Sequence, residues 1–164
     1  MLSVMKLFLL RHAPAEPGSP DAKRALTPAG RRMAEELARF MAERPFFAVQ
    51  EIWCSPYRRA RETAAPVHAA LGEKVRLRFR DDLVPHADPA ALLPDLRRLD
   101  RPLLIVGHNP HLAHLARHAL GIHAAGVPFA FKKGAVLALK RDPLSATGFS
   151  LAACLPPAAL GLKG

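Results

Sequence analysis

The sequence predicts an α/β protein with three layers, in which helices cover both faces of a mainly parallel central sheet. Short apolar runs alternate with stretches of helical period along residues 4–120, and this alternation is typical of parallel strands joined by helices. Two of the runs, residues 7–10 and 103–106, contain no polar residue, as expected of strands buried on both faces. Dipeptides that pair a capping residue with proline precede four of the helical stretches, and they mark helix starts.

The sequence pattern in the first half of the chain predicts three strands and two helices. Apolar runs and helical periods place them at residues 4–10 (strand), 28–43 (helix), 49–54 (strand), 57–71 (helix) and 75–79 (strand). A loop rich in proline occupies residues 13–26 after the first strand, and Thr27 then caps the first helix. Ser55 is expected to cap the second helix, which ends at Gly72. In the third strand apolar residues alternate with arginines, which predicts a half-buried strand with a basic outer row.

The second half predicts a central strand and further strands near the end of the chain. The elements lie at residues 89–99 (helix), 102–107 (strand), 110–120 (helix), and 129–131, 134–140 and 149–154 (two or three strands). Asp88 caps the first of these helices, which Pro94 breaks or kinks. Asn109 caps the second helix, and Gly121 terminates it. The strand of residues 102–107 is the most hydrophobic and is therefore expected at the centre of the sheet.

Length and charge limit the organisation and the partners of the protein. A chain of 164 residues is long enough for one core. We therefore expect a single domain over residues 1–164, with residues 155–164 as a loose tail. The formal net charge of +10 attracts anionic partners such as phosphates or nucleic acid. Few aromatic residues lie among the arginines, so no platform for stacking single-stranded nucleic acid is predicted.

The cysteines and the N-terminal segment favour a cytoplasmic location. Cys54 and Cys154 are 100 positions apart, and without a CxxC pair they predict neither a disulfide framework nor a cysteine metal site. We expect both to be buried thiols. The N-terminal apolar stretch is interrupted by Lys6 and is too short to span a membrane, so we expect no membrane partner.

Polar side chains follow the predicted strands at the points where the strands end. Arg11 and His12 follow the first strand, and Arg59 lies in the segment after the second. Asp82 follows the third strand and His108 the fourth. Because the carboxyl ends of parallel strands meet at one edge of a sheet, we expect these groups to converge. Two guanidinium groups, two imidazoles and adjacent helix N-termini suit a phosphate dianion, and a neutral imidazole can attack phosphorus to form a phosphoenzyme.

Four short motifs lie at these strand ends and helix starts. They are Leu10-Arg11-His12-Ala13, Arg24-Ala25-Leu26-Thr27, the run SPYRRARETA at residues 55–64, and Gly107-His108-Asn109-Pro110. In order and spacing they resemble the motifs of the histidine phosphatase (phosphoglycerate-mutase-like) superfamily, and they span most of residues 4–120. The resemblance implies a phosphoglycerate-mutase-like fold and a metal-independent phosphatase that works through a phosphohistidine on the enzyme.

The resemblance assigns a role to each residue of the site. His12 would be the nucleophile that becomes phosphorylated. Arg11 and Arg59 would bind the phosphoryl oxygens. His108 would complete the site and stabilise the charge that develops when phosphorus becomes five-coordinate. Asn109, next in the chain, is a further candidate for phosphate binding.

Two positions qualify this resemblance. Asp82 lies where many members carry an acidic residue that protonates the leaving group, and its neighbour Asp81 is the competing choice. Ala13 stands where the superfamily usually has glycine, and its methyl group interferes with close approach of the backbone to the phosphate. The resemblance therefore leaves the identity of the acid open, and Ala13 bears on the rate of the enzyme rather than on its class.

Within the superfamily the chain is similar to the SixA-type phosphohistidine phosphatases. Its connections after the strands are short, whereas members that act on small metabolites typically carry insertions that cover the pocket. The Arg-x-Leu-Thr pattern of residues 24–27 also suits this branch. We expect a phosphohistidine-bearing protein as the substrate, a small phosphorylated metabolite as the alternative, and no nucleic-acid partner. A non-catalytic module that binds anions or nucleic acid is the alternative from a different class.

Three histidines of the last predicted helix raise the question of a metal site. His111, His114 and His118 fall on one helical face. No carboxylate or His-Glu-x-x-His pattern accompanies them. We therefore expect ordinary helix histidines, and neither a metal nor a cofactor.

Overall fold

The computed structural model describes residues 5–123 and 131–162. Within these ranges six strands and four helices follow one another in the predicted order. They are β1 (Lys6–Arg11), α1 (Pro28–Ala42), β2 (Glu51–Cys54), α2 (Arg58–Leu71), β3 (Arg76–Phe79), α3 (Leu93–Arg98), β4 (Leu103–Gly107), α4 (His111–Leu120), β5 (Val136–Arg141) and β6 (Phe149–Leu155).

The strands form one mixed sheet in the order β3-β2-β4-β1-β5-β6. The first four in this order are parallel, whereas β5 and β6 are antiparallel to their neighbours. All residues of β4 are buried, and β4 lies between β2 and β1, as its hydrophobicity predicts. The three-layer α/β class with a mainly parallel sheet is confirmed.

The apolar side chains of β1 divide between the two faces of the sheet. Phe8 and Leu10 join the core cluster that α1 and α2 cover. Leu7 and Leu9 join the cluster that α3 and α4 cover. Each of the four is fully buried. Because both faces of the strand are covered, its sequence is continuously apolar rather than alternating.

The predicted helix caps are confirmed at two of four positions. The Thr27 hydroxyl accepts a hydrogen bond from the Gly30 N–H at 2.9 Å. The Asp88 carboxylate accepts one from the Ala90 N–H at 2.9 Å, at the start of the 3-10 helix Pro89–Leu92 that precedes α3. The predictions for Ser55 and Asn109 are wrong, because α2 and α4 begin three and two residues further on and lack a side-chain cap. The Ser55 hydroxyl accepts from the Tyr57 N–H at 3.3 Å, before α2 begins, and both side chains also bind long-range partners.

The loop between β1 and α1 is fastened to the start of α1. The Thr27 N–H donates to the Pro14 carbonyl at 3.0 Å, and Ala15 forms an isolated β-bridge with Leu26. A Cβ at Gly30 would overlap the Pro14 carbonyl, so glycine is required for the first turn of α1 to pack against the loop. The loop therefore holds a defined position beside the carboxyl ends of the strands.

The edge strand β3 is more exposed than its alternating pattern predicts. Leu77 is partly buried, but Phe79 remains 51 % exposed. The reason is its position, since an edge strand has a neighbour on one side and an open groove separates it from α2.

The C-terminal region requires two corrections. Residues 155–162 are not a loose tail, because Pro157–Leu160 form a 3-10 helix and both Leu160 and Leu162 are buried in the cluster under α1 and α2. Cys54 is buried as predicted, whereas Cys154 is exposed. Most of the strand proposed at residues 129–131 lies outside the described residues. No helix within the described ranges is long and apolar enough to cross a membrane.

Candidate active site

The strand order brings the predicted site residues together. β1, β4 and β2 are adjacent and parallel, and His12, His108 and Ser55 directly follow them. The carboxyl ends of these strands therefore present their side chains at one edge of the sheet. Arg59 reaches the same place from the first turn of α2.

His12 is held in a single tautomer. Its Nδ1 donates to the Ala13 carbonyl at 2.7 Å, and since a carbonyl only accepts, Nδ1 carries the proton. Nε2 is therefore unprotonated, and it accepts a hydrogen bond from Arg59 Nε at 3.2 Å. Burial, together with the charges of Arg59, Arg11 and Lys133, lowers the pKa of His12 to about 4. The imidazole is neutral at pH 7, and its Nε2 lone pair points at a guanidinium group.

His108 lies beside His12, with 5.1 Å between the ring centroids. Its Nε2 is 2.7 Å from the Ser55 hydroxyl, so Ser55 orients this ring rather than capping α2. Burial and the neighbouring His12 and Arg59 lower the pKa of His108 to about 3. Among the described residues its Nδ1 has no hydrogen-bond partner, which leaves this buried atom available to a ligand.

Arg11 and Asn109 converge on one carbonyl group. Arg11 Nη1 donates to the Phe131 carbonyl at 2.7 Å, and Asn109 Nδ2 donates to the same oxygen at 3.0 Å. Burial lowers the pKa of Arg11, and within the described ranges its Nε donates no hydrogen bond. A buried donor without an acceptor is costly, and an oxyanion would supply the acceptor.

Asp21, which the sequence interpretation missed, binds the guanidinium group of Arg59. Arg59 Nη1 donates to the Asp21 backbone carbonyl at 2.7 Å and Nη2 to its carboxylate at 3.0 Å. The other carboxylate oxygen accepts from Arg24 at 2.8 Å. The hydrogen bonds from Arg24 and Arg59 lower the pKa of Asp21 despite its slight desolvation. The available signal was an Asp-x-x-Arg spacing in the loop at the mouth of the pocket.

Thr63 was also missed, and it joins the nucleophile loop to α2. Its hydroxyl accepts from the Ala13 N–H at 3.1 Å and donates to the Arg59 carbonyl at 2.7 Å. The Ala13 side chain is fully buried in the core cluster under α1 and α2. A threonine inside a helix is common, so the sequence offers no signal for this contact.

The structure does not place Asp82 against His12. Both Asp82 oxygens accept from Arg80, at 2.9 and 2.6 Å, and Arg80 also donates to Asp95. β3 is three places from β1 in the sheet, roughly 14 Å at about 4.8 Å per strand. Asp81 is exposed. The acid role proposed for Asp82 or Asp81 stays a prediction, and the carboxylate that contacts the site is that of Asp21.

The histidines of α4 occupy different environments. His111 is buried, whereas His114 and His118 are exposed. In the described part of the chain, no group of three or more His, Cys, Asp or Glu side chains is arranged to hold a metal ion.

The fold and this site define the class of the protein. The family model of the histidine phosphatase superfamily (branch 1) matches residues 7–84, a range that contains His12 and Arg59. The chain is similar to the enzymes of the histidine phosphatase superfamily, in sequence over this range and in fold over nearly its whole length.

Several solved structures share the fold over nearly the whole chain. The protein histidine phosphatase SixA complexed with tungstate has a TM-score of 0.82 and 20% identity, and the match covers 95% of this chain and 99% of that one. A proposed phosphohistidine phosphatase SixA from Agrobacterium tumefaciens has a TM-score of 0.77 and 25% identity, and the match covers 94% of this chain and 99% of that one. A proposed alpha-ribazole-5'-P phosphatase from Escherichia coli has a TM-score of 0.70 and 17% identity, and the match covers 94% of this chain and 97% of that one. No curated protein sequence matches the chain.

Proposed function

We propose that this protein hydrolyses phosphohistidine on a protein substrate, with His12 as the nucleophile. The observation that carries the proposal is the state of His12, a neutral imidazole whose unprotonated Nε2 faces the Arg59 guanidinium group. Such a nitrogen is nucleophilic without prior deprotonation. The similarity to SixA structures supports the choice of substrate.

The proposed reaction has two displacement steps at phosphorus. His12 Nε2 attacks the phosphorus of the substrate, the P–N bond breaks, and the departing imidazole nitrogen takes up a proton. Water then attacks the phosphorylated His12, the new P–N bond breaks, and inorganic phosphate leaves. Arg11, Arg59 and His108 bind the phosphoryl oxygens and stabilise the charge that spreads over them in each transition state.

The acidic groups of the site favour a nitrogen leaving group over an alkoxide. An alkyl phosphomonoester needs an acid to protonate its leaving oxygen, whereas an imidazole takes up a proton near neutral pH. No carboxylate of the described residues contacts His12, and the Asp21 carboxylate has a lowered pKa. At neutral pH Asp21 is therefore ionised and has no proton to give. A substrate whose leaving group needs no strong acid fits this site.

Substrate preference tests the proposal. The kcat/KM for a protein phosphorylated on histidine should exceed that for glycerol phosphate by at least about 100-fold, because the leaving groups differ in their need for an acid. The measurement is release of inorganic phosphate from both substrates under identical conditions.

The other outcomes distinguish the alternatives. Faster turnover of alkyl phosphates would show a small-molecule phosphomonoesterase. Binding of phosphorylated ligands with no turnover would show a non-catalytic module.

Replacing Asp21 with asparagine should tighten inhibition by inorganic phosphate roughly fivefold, because a negative charge beside the bound dianion is removed. Asp82→Asn is the matched control and should change the inhibition constant less than about twofold, since Asp82 is paired with Arg80. The inhibition constants follow from steady-state assays. Weaker phosphate binding by Asp21→Asn would instead show that Asp21 serves to hold Arg59 in place.

A further inference from the structure

A groove of about 600 Å³ lies beside the candidate active site, between the loop after β1, the start of α2 and the edge strand β3. We call it the α2–β3 groove and define it by six of its lining residues, which are Lys23, Pro56, Arg58, Arg61, Leu77 and Phe79. None of these residues belongs to the proposed catalytic set.

The α2–β3 groove begins where the phosphate site ends. Its residue Lys23 follows two positions after Asp21, which binds Arg59. Its residue Arg58 directly precedes Arg59 in the first turn of α2. The groove is therefore within reach of a macromolecule that places a phosphoryl group on His12.

The groove combines positive charge with exposed apolar surface. Arg58 forms an ion pair with Glu62 at 2.6 Å. The Arg61 guanidinium lies over the Phe79 ring at 5.0 Å. Considering the described residues alone, no carboxylate pairs with Lys23 or Arg61. Unpaired cations around a half-exposed aromatic ring are the features of a protein-binding surface with a polar rim.

We propose that the α2–β3 groove binds an acidic segment of the phosphohistidine-bearing protein and so selects the substrate. This inference rests on the proposed function. Lys23 and Arg61 would pair with carboxylates of the partner, and Phe79 would receive an apolar side chain. Three cations face one carboxylate in the groove, so complementarity favours an acidic partner. The exposed phenylalanine favours a protein over a nucleic acid, since base stacking uses several aromatic rings along a strand.

The test compares three substrates with the same leaving group. Two are synthetic peptides that carry one phosphohistidine, flanked by glutamates in one and by lysines in the other, and the third is N-phosphoimidazole. For the wild type, kcat/KM should be about tenfold higher with the glutamate peptide than with the lysine peptide at low salt, and the difference should shrink as salt is added. The double variant Lys23→Glu/Arg61→Glu should reverse the preference and leave N-phosphoimidazole turnover within about twofold of the wild type.

Arg98→Glu provides the matched control. Arg98 is exposed and ends α3, on the opposite face of the sheet from α2, so the variant alters net charge without altering the groove. Arg98→Glu reverses one charge, whereas the double variant reverses two. If, per reversed charge, Arg98→Glu changed the ratio of kcat/KM for the two peptides as much as the double variant, overall charge would explain the selectivity. The groove proposal would then be wrong. Phe79→Ala should lower kcat/KM only for a peptide with a leucine beside the glutamates.

Two further outcomes separate this inference from the proposed function. If the wild type hydrolyses N-phosphoimidazole and both peptides equally, the function stands and the groove has no role. If it hydrolyses none of the three, the proposed function itself fails. Inhibition of the wild type by a single-stranded oligonucleotide is compared with inhibition by an unphosphorylated glutamate peptide. Equal inhibition by the two would assign the groove to nucleic acid.

Discussion

Replacing His12 with alanine should reduce the rate of phosphate release at least about 1,000-fold, because the variant lacks the nitrogen that forms the proposed covalent intermediate. The imidazole supplies the reacting atom, and its tautomer is set by the Ala13 carbonyl. Arg11, Arg59 and His108 would still bind phosphate in the variant. The loss should therefore appear in kcat, measured by phosphate release under saturating substrate.

His114→Ala is the control for this variant. His114 is exposed on α4 and has no part in the site, so its replacement should leave kcat within about twofold of the wild type. Residual activity of His12→Ala above a few per cent would contradict nucleophilic catalysis by His12. Inhibition of the variant by inorganic phosphate shows that the site is folded.

Stability should fall steeply when the pH decreases below about 6.5. The folded protein keeps His12 and His108 neutral, with pKa values of about 4 and about 3, whereas the unfolded chain protonates both near pH 6.5. Between these values the unfolded state binds more protons, so the free energy of unfolding rises with pH and is lost as the pH falls. For His12 alone the loss between pH 7 and pH 4.5 is about 2 kcal/mol, and His108 adds to it.

Urea unfolding at pH 7 and pH 4.5 measures this loss. In His12→Gln the difference between the two pH values should shrink by about 2 kcal/mol, since the variant has no imidazole to protonate. His86→Asn replaces an exposed histidine and should behave as the wild type does. An undiminished pH dependence in His12→Gln would show that His12 titrates alike in both states.

The sequence predicts the scaffold of this site because strong local patterns decide it. β1 and β4 are continuously apolar and are buried on both faces, which sets their place in the sheet. His12 and His108 follow these two strands directly, so parallel pairing brings them together without further information. The four motifs add Arg59, and the family match over residues 7–84 confirms the resemblance to the superfamily.

Contacts that depend on long-range folding could not be predicted. Ser55 has the pattern of a helix cap, but its hydroxyl binds His108, and only the tertiary structure decides between these partners. Asp21 lies in a loop without periodicity, and its contact with Arg59 arises because that loop packs on α1. Leu160 and Leu162 are too few to form a periodic stripe, although both are buried.

The exposed end of β3 lies in the groove that is proposed to select the substrate. Phe79 follows the alternating pattern of a strand but lies at the sheet edge, where α2 leaves it half uncovered. Basic residues line the groove around it. Their position beside Arg59 makes them the surface that a protein substrate would meet first.

The most direct test of the account is the mass of the enzyme trapped during turnover. Wild-type protein and His12→Ala are mixed with a phosphohistidine-bearing phosphotransfer protein, quenched rapidly in alkali, which preserves phosphohistidine, and analysed by mass spectrometry. We predict a transient adduct of about 80 Da on the wild type, located at His12 by fragmentation, with loss of phosphate from the partner and no adduct on His12→Ala. Phosphate release from the partner without an adduct, or an adduct at any other residue, would contradict the assignment of His12 as the nucleophile.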